Sequence, residues 1–273
     1  MERMKIALCQ RRSVLGDKDR NIAAMEKVLK EFKGADIYVF PELYLTGYKI
    51  RDKVWELAEE INGRSVDRII KLAEEYGVNI VFGMPERSQD YKGLIYNSAV
   101  FVYSDGKVHS YKKTYLPNFG PFEEYIYFTP NSGEYPIFCL NNFKLGLEIC
   151  YDMFFPEISK YYALLGVDLI ICISASPSVT RTFFESVVPA RAIENTVYVA
   201  YANVVGTEHN LTFWGGDFLV SPRGSIKVKG KYFKEDVVIG EVDTKELELA
   251  RRLRPTIRDT RYEIIKKLIE VWD

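Results

Sequence analysis

Asp36-Ile-Tyr-Val-Phe40-Pro-Glu42-Leu-Tyr-Leu-Thr-Gly47-Tyr48 opens on four consecutive apolar residues and then meets a proline. A short, unbroken run rich in β-branched and aromatic residues reads as a strand buried on both faces, Asp36–Phe40. Pro41 has no N–H to give to a ladder, so the strand ends before Glu42. Upstream, Asp19–Phe32 carries Ile22, Met25, Val28 or Leu29, and Phe32 at helical spacing, and Gly34 stops that helix. Before it, Lys5–Gln10 is another buried strand. Downstream, Asn62-Gly63 marks a loop. Arg64–Tyr76 is a second amphipathic helix with Gly77 as its stop, and Val78–Met84 is a third strand. Strand, helix, strand, helix, strand within some eighty residues means βαβ units and a layered α/β fold.

The remainder continues in that manner. Leu94–Tyr103 and Lys107–Lys113, separated by Ser104-Asp105-Gly106, form a hairpin. Lys144–Ile149 is a strand that stops at Cys150, and a helix follows over Pro156–Leu165. Asp168–Ser174 and Val197–Asn203 are strands on either side of a helix, Arg181–Asn195. Phe213–Ser221, Ser225–Lys229 and Val237–Val242 read as successive antiparallel strands. Helices over Thr244–Leu253 and Asp259–Val271 close the chain. Neither an internal repeat nor a linker is visible, so residues 1–273 are expected to form one domain.

Composition narrows the class. The 273 residues carry a net charge of −1, with 47% hydrophobic and 27% charged residues. That is an ordinary globular balance with no basic surface for nucleic acid. No apolar run reaches the roughly 18–20 residues that span a bilayer, and no secretory h-region follows the first methionine. The cysteines Cys9, Cys139, Cys150 and Cys172 have no C-x-x-C spacing, and three lie in apolar runs. Reduced thiols and a cytoplasmic location are expected. Gln occurs only at positions 10 and 89 among abundant Lys, Arg and Glu, a composition that points to a thermophile.

Several residues carry candidate chemistry. A thiol at the end of a strand, Cys150, stands at a sharp turn where backbone N–H groups and a helix N-terminus favour its thiolate; read alone, such a thiol is more often a small buried hydrophobe. It needs a base. His109 and His209 are the only histidines, and neither sits in a pattern that supplies one. Carboxylates are the alternative: Glu42, at the carboxyl end of a strand where α/β sheets place ligands, or Glu148, two residues before Cys150 and by strand alternation on its face. Lys112 and Lys113 must point to opposite faces, so one of them is surface decoration. No metal-ligand spacing and no Gly-rich nucleotide loop occurs, so neither metal nor cofactor is expected.

Three of these stretches coincide. Phe40-Pro-Glu-Leu-Tyr-Leu-Thr-Gly-Tyr48, Tyr111-Lys-Lys-Thr-Tyr-Leu-Pro117 and Glu148-Ile-Cys-Tyr-Asp152 resemble, in order and separation, the three signature blocks of the nitrilase superfamily of carbon–nitrogen hydrolases. Ala190-Arg-Ala-Ile-Glu-Asn195 and Ala202-Asn-Val-Val-Gly206 are similar to further landmarks of that family. The resemblance implies a four-layer α-β-β-α sandwich with two central sheets flanked by helices. It also implies a homodimer or larger homo-oligomer. Carried over residue by residue, Glu42 matches the general base, Lys113 the catalytic lysine, Cys150 the nucleophile and Glu124 a supporting glutamate. Tyr151-Asp152 after the nucleophile looks like the amidase and carbamoylase branches, whereas Trp-Glu stands there in nitrilases. A small amide or N-carbamoyl substrate is therefore implied, with Tyr151 and Asp152 positioning it. Tyr48, Phe119, Phe154, Ser174 and Glu148 are candidates for the pocket wall. Nitrile hydrolysis, acyl transfer and a non-catalytic binding role on the same fold are the alternatives. Three positions depart from the family pattern: Tyr115 stands where His is common, Asp217 where a small hydroxyl residue is usual, and Glu148 where an apolar residue is expected.

Overall fold

A computed structural model describes residues 2–271. The first half of the chain runs β1 (Arg3–Gln10), α1 (Lys18–Glu31), β2 (Ile37–Val39), α2 (Val54–Leu57), α3 (Arg64–Tyr76), β3 (Asn79–Arg87), β4 (Ile95–Val102), β5 (Val108–Lys112) and α4 (Glu124–Tyr127). The second half runs β6 (Phe138–Leu140), β7 (Phe143–Ile149), α5 (Pro156–Leu164), β8 (Leu169–Ser174), α6 (Arg181–Asn195), β9 (Tyr198–Asn203), β10 (Val205–Glu208), β11 (Leu211–Trp214), β12 (Phe218–Val220), β13 (Ile226–Lys229), β14 (Asp236–Asp243), α7 (Thr244–Leu253) and α8 (Tyr262–Glu270).

Two six-stranded sheets result, in the orders β14-β1-β2-β3-β4-β5 and β13-β12-β9-β8-β7-β6. Strand alternation decides their burial. In the first sheet Ile6, Leu8, Ile37, Val39 and Val81 point towards the second sheet, while Ala7, Cys9, Tyr38, Phe40, Ile80 and Phe82 pack under α1 and α3. In the second sheet Leu145 and Leu147 share the inter-sheet core, closed at one end by Phe101 stacked on Phe138 at 5.1 Å. Gly146 faces the other way: a Cβ there would sit 2.8 Å from the ring of Tyr162 on α5. Helices, sheet, sheet and helices thus form the four layers expected of the family.

Three of the sequence-based elements differ. Phe213–Ser221 is not one strand. Gly215 and Gly216, at φ 63° and 65°, break it into β11, which pairs with β10, and β12, which joins the second sheet. Gln10 packs so close to Gly215 that a Cβ would lie 2.4 Å from its amide, so only glycine fits. β14 does not follow β13 into the second sheet; it crosses to pair antiparallel with β1. The last helix begins at Tyr262, because residues 256–259 are a turn.

The parallel pairing of β2 with β1 and β3 holds the end of β2 in place. Phe40 donates to the Val81 carbonyl (2.7 Å), Gly83 to the Pro41 carbonyl (3.0 Å) and Leu45 to the Gly83 carbonyl (3.1 Å). The chain turns sharply there, with Leu43 in the left-handed region at φ 49°. Backbone approaches so closely that a Cβ on Gly83 would lie 2.1 Å from the Leu43 nitrogen and 2.7 Å from the Glu42 Cα. Gly83→Ala is accordingly expected to displace the Glu42 turn. It should cost roughly 1–3 kcal/mol in urea unfolding and a larger share of activity than of stability.

Candidate active site

Glu42, Lys113 and Glu124 come from three separate places: the end of β2, the residue after β5 and the first turn of α4. The Lys113 side chain has no exposed surface, and both carboxylates are buried with it. Its Nζ donates to Glu42 Oε1 at 2.7 Å and stands 2.8 Å from both oxygens of Glu124. Every remaining Glu42 oxygen contact comes from a fixed donor. Asn97 Nδ2 of β4 reaches Oε1 at 2.7 Å, and the backbone N–H of Ala175, just past β8, reaches Oε2 at 2.7 Å. Tyr48 donates its hydroxyl to Glu124 Oε1 at 2.7 Å. Tyr48 is held in turn because Glu208 Oε2 accepts from the backbone N–H groups of Tyr48 and Lys49, both at 2.9 Å.

Burial and charge set the protonation states. Burial pushes the Glu124 carboxyl up to about 7; Lys113 opposes this and Glu42 adds to it. Burial works against the Lys113 ammonium, but the Glu124 and Glu42 carboxylates overcome it and hold the lysine protonated well above its ordinary range.

Cys150 is delivered from the second sheet. β7 ends at Ile149, and Cys150 adopts φ 49°, a left-handed conformation that a non-glycine residue holds at a cost of roughly 1–3 kcal/mol. Asp152 pins this turn. Its Oδ2 accepts from the Ile149 N–H (3.0 Å) and the Tyr111 hydroxyl (2.8 Å), and its Oδ1 accepts from the Tyr115 N–H (2.9 Å). Tyr111 and Tyr115 flank Lys113, so one carboxylate ties the Cys150 turn to the lysine's strand. Burial raises the Cys150 thiol well above its usual range; Glu42 is the neighbouring charge that acts on it most, raising it further, and Lys113 opposes. The expectation of a thiolate favoured by nearby N–H groups is therefore corrected. Burial and the Glu42 charge favour the neutral thiol.

The other candidates separate into two groups. Ser174 lies at the end of β8, fully buried, and accepts from the Tyr201 hydroxyl at 3.0 Å. Tyr151 leads an aromatic wall: its ring is 5.4 Å from Phe119, which is largely exposed, and 5.7 Å from Phe154. Glu148 does not share the thiol's face. It lies on the helix side of β7 and accepts from Ser159 Oγ of α5 at 2.6 Å. Alternation fails as a guide because Cys150 leaves the strand conformation. Glu148 is thus removed as a rival base. His109 and His209 are both exposed. Asp217, the third departure, is buried and accepts from the Asn203 N–H at 2.7 Å; Asn203 Oδ1 in turn holds the Ser176 N–H at 2.8 Å, next to the Ala175 donor to Glu42. Asn97 and the Ala175 N–H were not foreseen. A polar residue inside the apolar strand Leu94–Tyr103 was a signal for the first; a backbone donor leaves none. Among the described residues, no group of three or more His, Cys, Asp or Glu side chains could hold a metal ion.

Residues 5–252 match the carbon–nitrogen hydrolase family. The chain belongs to that family. It is 34% identical over 246 residues to a nitrilase of Pyrococcus abyssi, covering 88% of this chain and 90% of the relative. To an (R)-stereoselective amidase of a Pseudomonas species it is 30% identical over 260 residues, covering 94% and 92%. Among solved structures it is similar, at TM-score 0.84 and 25% identity over 97% of this chain and 96% of the other, to a glutamate-to-glutamine mutant of the amidase from Nesterenkonia sp.. That structure has the acetamide moiety of fluoroacetamide covalently added at the active-site cysteine.

The cluster makes its own prediction. In Lys113→Met the buried carboxylates lose their cation, and breaking such a pair costs roughly 3–5 kcal/mol. With its Lys113 opposition gone, the Glu124 carboxyl rises above the value of about 7 that it has beside the lysine. A carboxyl raised in the folded state stabilises the fold less as pH climbs above its unfolded value. The Tm deficit of Lys113→Met against wild type should therefore shrink as pH falls from neutral towards about 5. A deficit independent of pH would contradict the ion-pair assignment.

Proposed function

We propose that the protein hydrolyses the C–N bond of a small amide through a thioester on Cys150, with Glu42 as base and Lys113 as the cation that stabilises the oxyanion. The observation that carries this reading is the buried Glu42–Lys113–Glu124 cluster, drawn from the first sheet, whose charges act on a thiol from the second. Glu42 takes the thiol proton as sulfur attacks the carbonyl carbon. Lys113, Asn97 and the Ala175 N–H hold both of its oxygens in place, so the carboxylate is oriented before the thiol proton reaches it. The oxyanion forms beside the Lys113 ammonium and the backbone N–H near Tyr151; losing one such donor typically costs about 3–4 kcal/mol of barrier. Glu42 next protonates the departing ammonia or amine. It then activates the water that releases the acid.

Glu124 supports this role by sharing Lys113, which keeps the ammonium between two carboxylates and fixes where it points. The pairing of Tyr151 with Asp152 favours amides or N-carbamoyl compounds over nitriles as substrates. No helix among the described residues is long and apolar enough to cross a membrane, and the reading is of one catalytic domain working in the cytoplasm. Exposed apolar side chains on α5 and α6 (Tyr161, Leu164, Phe183) and along α8 (Ile264, Leu268, Ile269) support assembly as a homo-oligomer. Light scattering on the purified protein tests that part.

Ammonia release across aliphatic amides, ω-amides, N-carbamoyl compounds and nitriles tests the function. Turnover of at least one amide or carbamoyl class is expected, and activity confined to nitriles would overturn the assignment. Cys150→Ala should lower kcat/KM by about 10⁴-fold or more, as removal of a nucleophile does in comparable systems.

A further inference from the structure

Glu148 is a buried carboxylate that the reaction does not use. It has no exposed surface, and only one of its oxygens is satisfied: Oε1 accepts from Ser159 Oγ at 2.6 Å, while Oε2 has no partner. The cation whose charge acts on it is Arg191 of α6, and two nitrogens of that guanidinium already have partners. Arg191 Nε donates to the Met153 carbonyl at 2.9 Å, and Nη1 donates to Glu194 Oε1 at 2.9 Å. Met153 lies in the turn Cys150–Phe154, so Arg191 holds the far side of the turn that Asp152 pins on the near side. Arg191 is itself buried.

A carboxylate with a bare oxygen and a guanidinium a short way off compete in a simple manner. Neutral Glu148 makes little demand on Arg191. Ionised Glu148, sealed from water, needs a donor, and Arg191 is the cation whose charge already acts on it. We propose that Glu148 is a positioning residue for the Cys150 turn: it leaves the turn in place only while protonated, because an ionised Glu148 draws Arg191 away from the Met153 carbonyl. The groups that face it allow this. From α5 come Ser159 and the Tyr162 ring; from β8, Cys172; from the turn, Asp152; from α6, Arg191 and Glu194. Burial raises its carboxyl to about 8; the Ser159 hydrogen bond lowers it, Asp152 raises it, Arg191 lowers it and Glu194 raises it. The neutral form therefore holds at neutral pH, and the switch falls on the alkaline side. The inference rests on the reading of Cys150 as nucleophile.

The test compares wild type, Glu148→Gln and Glu148→Met across roughly pH 6–10, following kcat/KM on an amide substrate and alkylation of Cys150 by iodoacetamide. Peptide mapping counts Cys150 separately from the exposed Cys139. Neither variant can ionise, and Gln keeps an acceptor for Ser159. In wild type, kcat/KM should fall about tenfold per pH unit above about 8, and Cys150 alkylation should bend downward there instead of rising as an ordinary thiol's does. In both variants the fall should move at least one unit higher. Should Gln fail to fold, Met alone decides. Superimposed alkaline limbs in wild type and the folded variants would overturn the role of Glu148 while leaving the nucleophile untouched. Amide turnover retained in Cys150→Ala would instead overturn the underlying function.

Discussion

One lysine buried between two carboxylates is the constraint that the rest of the site obeys. Removing three charged groups from water costs several kcal/mol per ion, and only close, complete pairing offsets that. Lys113 at 2.7–2.8 Å from Glu42 and Glu124 supplies the pairing. Asn97, Ala175 and Tyr48 fill the remaining acceptor positions. The cluster is sealed first and functional second: the donors that make its burial tolerable also fix the Glu42 carboxylate in one orientation. A carboxylate held this way, acting as the proposed base, pays no reorganisation cost when a proton moves.

Cys150, the proposed nucleophile, depends on the same constraint from the opposite sheet. Burial and the Glu42 charge both favour its neutral thiol over the thiolate. The turn that carries it is strained at Cys150 and is held by Asp152 on one side and Arg191 on the other. Stacking two sheets face to face allows Glu42 and Lys113 to come from one and the Cys150 sulfur from the other, with Glu42 and Cys150 each following a strand buried on both faces.

Much of this was legible in the sequence, and for physical reasons. Asp36–Phe40 and Asp168–Ser174 announce two-sided burial by unbroken apolar runs, which already implies layers above and below. Glu42, Lys113 and Cys150 follow from motif blocks whose residues are ordinary when taken singly. What escaped was non-local. That β14 crosses to β1, or that Gly215-Gly216 breaks a strand, is set by partners distant in sequence. Glu148 was assigned to the wrong face because period-two alternation presumes extended backbone, and Cys150 at φ 49° has left it. The Ala175 N–H could not be read at all, since every residue but proline has one.

The central claim is that geometry, not exposure, selects the reactive sulfur. Of the four cysteines, Cys139 is the exposed one, while Cys9, Cys150 and Cys172 are buried. Trapping the acyl intermediate with a slowly turned-over amide, then locating the added mass by peptide-mapping mass spectrometry, tests this most directly. The acyl group should be found on Cys150 alone. An adduct on Cys139, Cys9 or Cys172, with Cys150 unmodified, would contradict the account.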